Sequence, residues 1–132
     1  IFKSEIWRKP GYLKPDVDML FLANPNNPVG NRIEPELLED ILDICKENDI
    51  WVLLDECFIE FLSHSQYDVR GRLKRYKNLM ILRAFTKFYA IPGVRLGYIM
   101  CENDNILTKI RLQLPEWNVS VFAENAGIVP WR

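Results

Sequence analysis

The chain has 132 residues, 48% hydrophobic and 27% charged, with a formal net charge of −1 at pH 7. That is enough for one domain with a real core, and the charge balance excludes a global pull towards nucleic acid or an anionic membrane. No apolar run approaches the roughly 20 residues that span a bilayer; the first residues, IFKSEIWRKPGYLKP, hold no signal-peptide hydrophobic region, and without an initiator methionine the chain reads as a piece of something longer.

Residues 1–16 read as an irregular lead-in broken by Pro10, Gly11 and Pro15. Asp18–Ala23 is a short continuous apolar run, which predicts a strand buried on both faces, as in a parallel sheet. The loop NPNNPVG (24–30) follows, and on local grounds it is a turn. A helix is predicted to start near Glu34, with Pro35 in its first turn and Glu36 favouring the positive end of the helix dipole. Leu37, Leu38, Ile41, Leu42, Ile44 and Cys45 form its apolar face, and Asn48 and Asp49 end it. Ile50–Glu56 is the second buried strand, so strand, helix and strand make a βαβ unit. The basic stretch DVRGRLKRYKN (68–78) reads as partly helical, and a solvated face there outweighs a phosphate-binding patch. Leu79–Phe85 is a third strand and Arg95–Cys101 a fourth. The link between them is too short for a helical crossover, so the fourth is expected to run antiparallel. NDNILTKIRLQL (103–114) reads as a helix capped near Asn103 or Asp104, and VSVFAENAGIV (119–129) as another.

Cys45, Cys57 and Cys101 are scattered and form no CxxC, which argues against a disulfide framework and against zinc. They read as reduced thiols, and no metal site is expected. His64 lies in the polar stretch FLSHSQYD and reads as a solvated loop histidine rather than a catalytic partner.

Ligands of open α/β sheets bind at the carboxyl ends of the strands. Four polar residues fall there on this reading: Asn27 past the first strand, Asp55 at the end of the second, Lys87 past the third, and Arg95 at the start of the reversed fourth. Together they can hold an anionic, nitrogen-containing ligand. Each has a plain alternative: a turn for Asn27, a cap for Asp55, a surface position for Lys87, and an ion pair of Arg95 with Glu56 or Glu60. A lysine among apolar and aromatic neighbours, as in FTKFYAIPG, can also be held as a neutral amine able to form a Schiff base with an aldehyde.

Three blocks, NPNNPVG (24–30), LLDECFIEF (53–61) and RAFTKFYAIPGVRLGY (83–98), resemble in order and spacing the signature blocks of class I/II aminotransferases. The resemblance covers roughly Leu20 to Trp117. It implies an α/β fold, part of the large pyridoxal 5'-phosphate (PLP) binding domain of fold type I, with a mostly parallel sheet flanked by helices and one antiparallel strand. It implies that Lys87 is the Schiff-base lysine and proton carrier. Asp55 would pair with the protonated pyridine nitrogen, Asn27 would meet the phenolic oxygen, and Arg95, helped by Thr86, would bind the phosphate. It also allows a cis Asn27–Pro28 bond. Two positions depart from the family pattern. Phe58 stands where many relatives carry a tyrosine, which weakens the case for standard transamination. Ala84 stands where many carry serine or threonine, which leaves more of the phosphate to Arg95.

Within the family, TKFYAIPGVRLGY, DECFIEF and LPEWNVS are most similar to threonine-phosphate decarboxylases, enzymes of cobalamin biosynthesis. The histidinol-phosphate aminotransferases of histidine biosynthesis are the alternative. Both branches imply a phosphorylated amino acid or amine as substrate, a cytoplasmic enzyme and a homodimer, with no nucleic acid or membrane partner. The family's upstream phosphate loop, ring-stacking aromatic and carboxylate-binding arginine have no counterpart here, so residues 1–132 are expected to be the central part of the large domain. A rival from another class is a fragment or degenerate domain that binds partners and catalyses nothing. A nucleotide-binding βαβ domain is a further rival, opposed by the lack of GxGxxG or a P-loop after the first strand.

Overall fold

The computed structural model describes residues 16–63 and 65–128; His64 and nearly all of the lead-in lie outside the described residues. The elements are β1 (Met19–Ala23), α1 (Pro35–Glu47), β2 (Trp51–Asp55), β3 (Leu79–Ala84), β4 (Gly97–Cys101), α2 (Asp104–Gln113) and α3 (Val121–Ile128). The four strands form one sheet in the order β1-β2-β3-β4. The first two pairings are parallel and the last is antiparallel. The link before β4, residues 85–96, holds only the short 3-10 turn Pro92–Val94 and no α-helix that could carry a parallel crossover, and β4 returns antiparallel.

Helix α1 forms where local chemistry favours it. Pro35 stands at its start with Glu34 as N-cap, Glu36 lies in the first turn and Lys46 in the last, each charge matched to its end of the dipole. Leu38, Ile41, Leu42 and Cys45 are buried along one stripe, with Leu37 and Ile44 half-buried at its margins. Burying each large aliphatic chain contributes about 1.5–3 kcal/mol. The chain leaves the helix through Asp49, whose φ of 55° turns it towards β2.

Side chains alternate across a sheet, so Val52 and Leu54 of β2 and Leu79 and Ile81 of β3 join the α1 stripe in one core, with Val69, Leu73 and Tyr76 closing it. The opposite face is open towards its β1 edge among the described residues: Phe21 is 67% exposed and Met19 38%, Trp51, Leu53 and Asp55 are half-buried, and Met80, in register with Leu53, is buried. Burial on both faces, expected from the continuous apolar run of β1, therefore does not hold here, because α1 covers one side.

The basic segment 68–78 makes a 3-10 turn at Arg70–Arg72. Its arginines pair within the fold. Arg75 reaches Glu39 at 2.8 Å and Asp43 at 2.9 Å on α1, and Arg72 reaches Glu39 at 3.4 Å. These are solvated pairs, each worth a fraction of a kcal/mol to about 1 kcal/mol. They bind the segment to α1 and make no free phosphate patch.

β3 and β4 approach closely where Ala84 faces Gly97. A Cβ at Gly97 would lie 2.9 Å from the Arg83 carbonyl oxygen. Gly97→Ala is expected to lower stability by about 1–3 kcal/mol, the usual cost of overpacking; a urea midpoint equal to wild type would contradict this packing. α2 starts at Asn103, whose Oδ1 accepts the Ile106 N–H at 3.2 Å. α3 lies against the Pro92–Val94 turn, with Ala123 buried. No helix among the described residues is long and apolar enough to cross a membrane.

Candidate active site

The loop after β1 is built around Asn24. Its N–H donates to the Asp55 carbonyl at 2.9 Å, carrying the β1–β2 ladder one residue past the strand. Its side chain is fully buried, and Oδ1 accepts the Ile33 N–H at 2.8 Å, which ties the loop's return to its start. Gly30 N–H donates to Asn26 O at 2.7 Å and Asn26 N–H to Asn31 O at 2.8 Å. Gly30 has φ 75°, a conformation that costs glycine nothing and other residues strain. Both Asn24–Pro25 and Asn27–Pro28 are cis. The loop is thus a turn, as its composition says, and it also leaves Asn27 exposed at the strand end. Asn24→Ala would strand the buried Ile33 N–H. It is expected to cost about 1–3 kcal/mol, measurable as a shift in the thermal midpoint, and a change of a few tenths would contradict this role.

Asp55 closes β2 on the open face of the sheet, paired in register with Ala23 and Leu82. Its Oδ1 accepts the Cys57 N–H at 2.9 Å, so it does cap the next segment. The Cys57 thiol is pushed up to about 12, first by burial, then by its hydrogen bond to Asp55 and that carboxylate's charge; Lys87 acts in the opposite sense. Lys87 reaches the same segment after β2 that Asp55 caps. Its Nζ stands 5.6 Å from the centre of the Phe58 ring. The rings of Phe58, Phe61, Phe88, Tyr89 and Phe85 continue from there in edge and tilted contacts with centroids 5.4–6.1 Å apart. Lys87 is nevertheless exposed, so the desolvation expected from its apolar neighbours is not supplied by the described residues.

Arg95 precedes β4 in the left-handed region, φ 57°. The β3–β4 register pairs Arg83 with Tyr98 and Ala84 with Gly97, and Phe85 N–H donates to Leu96 O at 3.1 Å. One step further puts Arg95 opposite Thr86. Its guanidinium is exposed and donates to Pro92 O at 3.1 Å, while Thr86 is buried. Asn27, Asp55, Lys87 and Arg95 thus all stand at one end of the sheet. Asp55 bonds the Cys57 N–H and Lys87 lies over the Phe58 ring in the same segment, whereas no hydrogen bond among the described residues joins Asn27 or Arg95 to Asp55 or Lys87.

The ion pair considered for Arg95 belongs to another residue. Glu56 is fully buried and Arg83 is 6% exposed. Arg83 Nε and Nη2 both donate to Glu56 Oε2, at 2.9 and 2.6 Å. Arg83 Nη2 also meets Asp68 Oδ1 at 3.3 Å, and Nη1 lies 3.9 Å from Glu60 Oε1. Glu56 Oε1 is buried without a hydrogen-bond partner. Burial outweighs the attraction of Arg83 and pushes the Glu56 carboxyl up to about 7. The sequence holds a signal for this pair that the rim reading passed over: an arginine inside the apolar run LMILRAF must find a carboxylate if that run is buried.

Residues 9–128 match the family "Aminotransferase class I and II". Threonine-phosphate decarboxylase from Salmonella typhimurium is 44% identical over 117 residues, 89% of this chain and 32% of that protein. Histidinol-phosphate aminotransferase 1 from Carboxydothermus hydrogenoformans is 40% identical over 111 residues, 84% of this chain and 30% of that protein. Among solved structures, histidinol-phosphate aminotransferase from Clostridium acetobutylicum superposes with a TM-score of 0.81 at 41% identity, covering 86% of this chain and 34% of that one. The chain spans about a third of the length of the curated relatives it matches. With the signature blocks gathered at one sheet end and the family matched over nearly the whole chain, the protein belongs to the class I and II aminotransferases.

Proposed function

We propose that this chain is the central part of the large domain of a PLP enzyme acting at the Cα of a phosphorylated amino acid or amine, of threonine-phosphate decarboxylase type. The feature that supports the reading is the placement of Asp55 at the end of β2 and of the exposed Lys87 just past β3, at the carboxyl end of one parallel strand pair. The open, apolar second face of the sheet supports a place inside a larger domain.

The donor set fits the cofactor. An exposed amine suits an aldehyde, a half-buried carboxylate suits a basic ring nitrogen, and an exposed amide and guanidinium suit a phenolic oxygen and a phosphate. When bound, PLP supplies an electron-accepting ring that stabilises negative charge developing at the substrate Cα. Lys87 Nζ would hold the aldehyde end and, once displaced by the substrate amine, move a proton at Cα. The Asp55 carboxylate would keep a proton on the ring nitrogen. Asn27 would donate to the phenolic oxygen, and Arg95 with Thr86 would hold the phosphate. Phe58 offers no hydroxyl to the phenolic oxygen, which counts against standard transamination. Transamination of the histidinol-phosphate type is the second reading, favoured by the 41% identical solved structure. The full-length enzyme would be a cytoplasmic homodimer, as the family resemblance implies.

The test is to add PLP to the full-length protein, reduce with borohydride and map the modified lysine by mass spectrometry. Modification at Lys87 is expected. Modification confined to surface residues such as Lys74 or Lys77, or none at all, would overturn the assignment. Release of carbon dioxide from threonine phosphate, against appearance of a keto product from histidinol phosphate with a keto-acid acceptor, then separates the two reactions.

A further inference from the structure

We propose that the buried Glu56–Arg83 ion pair is a positioning device that holds Asp55 and Lys87 in their relative placement, making Glu56 and Arg83 positioning residues for the reaction centre. The inference rests on the proposed roles of Asp55 and Lys87. Glu56 follows Asp55 in the chain, on the opposite face of β2; Arg83 lies on β3, four residues before Lys87. The backbone ladder between these strands ends with Asp55 facing Leu82 and a final bond from Glu56 N–H to Leu82 O at 2.8 Å. Beyond it the chain after β2 turns away into a 3-10 turn at Ile59–Phe61, while β3 continues beside β4 as far as Ala84. The two segments that carry the site thus diverge where their spacing matters. The Arg83 guanidinium bridges that divergence, with two donors on Glu56 Oε2 and a third contact to Asp68.

The pair's own energetics fit this role better than a role in stability. Taking two charges out of water is expensive, and replacing such a pair with apolar groups of similar size is often neutral or stabilising. Here one carboxylate oxygen, Glu56 Oε1, is buried without a partner, so the arrangement is not optimised for stability. Two donors converging on one oxygen across two strands do fix a distance and an angle, which apolar contacts do not. Misplacing reactive groups by about 1 Å can cost on the order of 10²-fold in rate.

The test compares Glu56→Gln, the double variant Glu56→Leu with Arg83→Met, and Arg75→Met as a surface ion-pair control, all in the full-length protein. Two quantities are read on protein shown to be folded by its cooperative thermal transition. One is the PLP concentration that half-saturates borohydride trapping at Lys87. The other is the pH profile of acetylation of Lys87 by acetic anhydride, which needs no cofactor. The half-saturating concentration is expected to rise about ten- to hundred-fold in both pair variants, with a displaced acetylation profile, while Arg75→Met matches wild type in both. The double variant keeps a buried apolar filling, so a pair that only stabilised the fold would leave both quantities at wild-type values; that result, or the same in folded Glu56→Gln, overturns the inference. A wild-type protein that traps no PLP at Lys87 overturns the cofactor reading. A displaced acetylation profile would still support the positioning role in that case, and an undisplaced one would overturn both.

Discussion

Lys87→Ala is expected to abolish borohydride trapping of PLP at position 87 and to lower turnover by roughly 10²–10⁴-fold, the range ascribed to a positioned general acid–base group. The effect is large because two tasks rest on one atom. Nζ would hold the aldehyde and would also carry the proton at Cα. The substitution should cost the fold little: Lys87 is exposed, and its ring contact with Phe58 spans 5.6 Å, an exposed cation–π contact of about 0.5–1 kcal/mol. A near-normal thermal midpoint with turnover lost is therefore the expected pattern. Methylamine added to the variant should restore part of the rate if the missing amine is the cause. Full turnover in Lys87→Ala would sink the mechanism.

Asp55→Asn separates charge from shape. The asparagine Oδ1 can still accept the Cys57 N–H, now bonded at 2.9 Å, so the segment after β2 keeps its cap. What disappears is the negative charge that would, on the proposed reading, keep a proton on the ring nitrogen. Trapping at Lys87 is expected to persist, while turnover falls by at least about 10²-fold, comparable to removing one fixed electrostatic partner of a developing charge. Asp55→Ala would mix this loss with the loss of the cap, costing about 1 kcal/mol more in stability. Turnover within about two-fold of wild type in Asp55→Asn would show that the carboxylate does no more than cap. The pair of variants would thus divide the proposed roles: the Lys87 amine for covalent capture and proton movement, the Asp55 charge for the ring nitrogen.

The stability variants ask a different question, whether the frame is built as described. Gly97 and the Asn24 side chain bond no proposed ligand side chain; Asn24 meets Asp55 only through the backbone. Gly97 sets how closely β4 approaches β3, and Asn24 fixes the loop that presents Asn27. Losses there should appear first in the unfolding midpoint. An effect on cofactor affinity without a stability change would mean that these residues act on the site directly.

By itself the sequence determined the elements whose causes are local. Helix α1 lies where Pro35, Glu36 and an apolar stripe at helical spacing agree, and it ends at the asparagine–aspartate pair that breaks it. The strands lie within the apolar runs, each shorter by one or two residues at its ends. The reversal of β4 is expected from a connection with no room for a crossover helix, and the connection holds none; Asp55, Lys87 and Arg95 reach one rim because strand ends are readable from where apolar runs stop. Arg95 itself stands in the turn before β4 rather than on the strand, since a left-handed φ cannot be inferred from its side chain.

Only the tertiary structure decided what depends on register and cover. Arg83 and Glu56 are 27 positions apart, and they meet because β2 and β3 pair as Asp55 with Leu82 rather than one residue off. A slip of one residue would put Arg83 on the opposite face. The sequence offered Glu56 several arginines, and pairing on one face selected one. Asn24 looked like one more turn residue in NPNNPVG, yet its burial and its bond to Ile33 make it the anchor and leave Asn27 for the rim. Apolar runs of even hydropathy gave no sign that α1 would cover one face and leave Phe21 on the other, because a run of apolar residues records burial without saying what supplies it. Local chemistry sets where strands and helices form, and long-range pairing sets which charges meet.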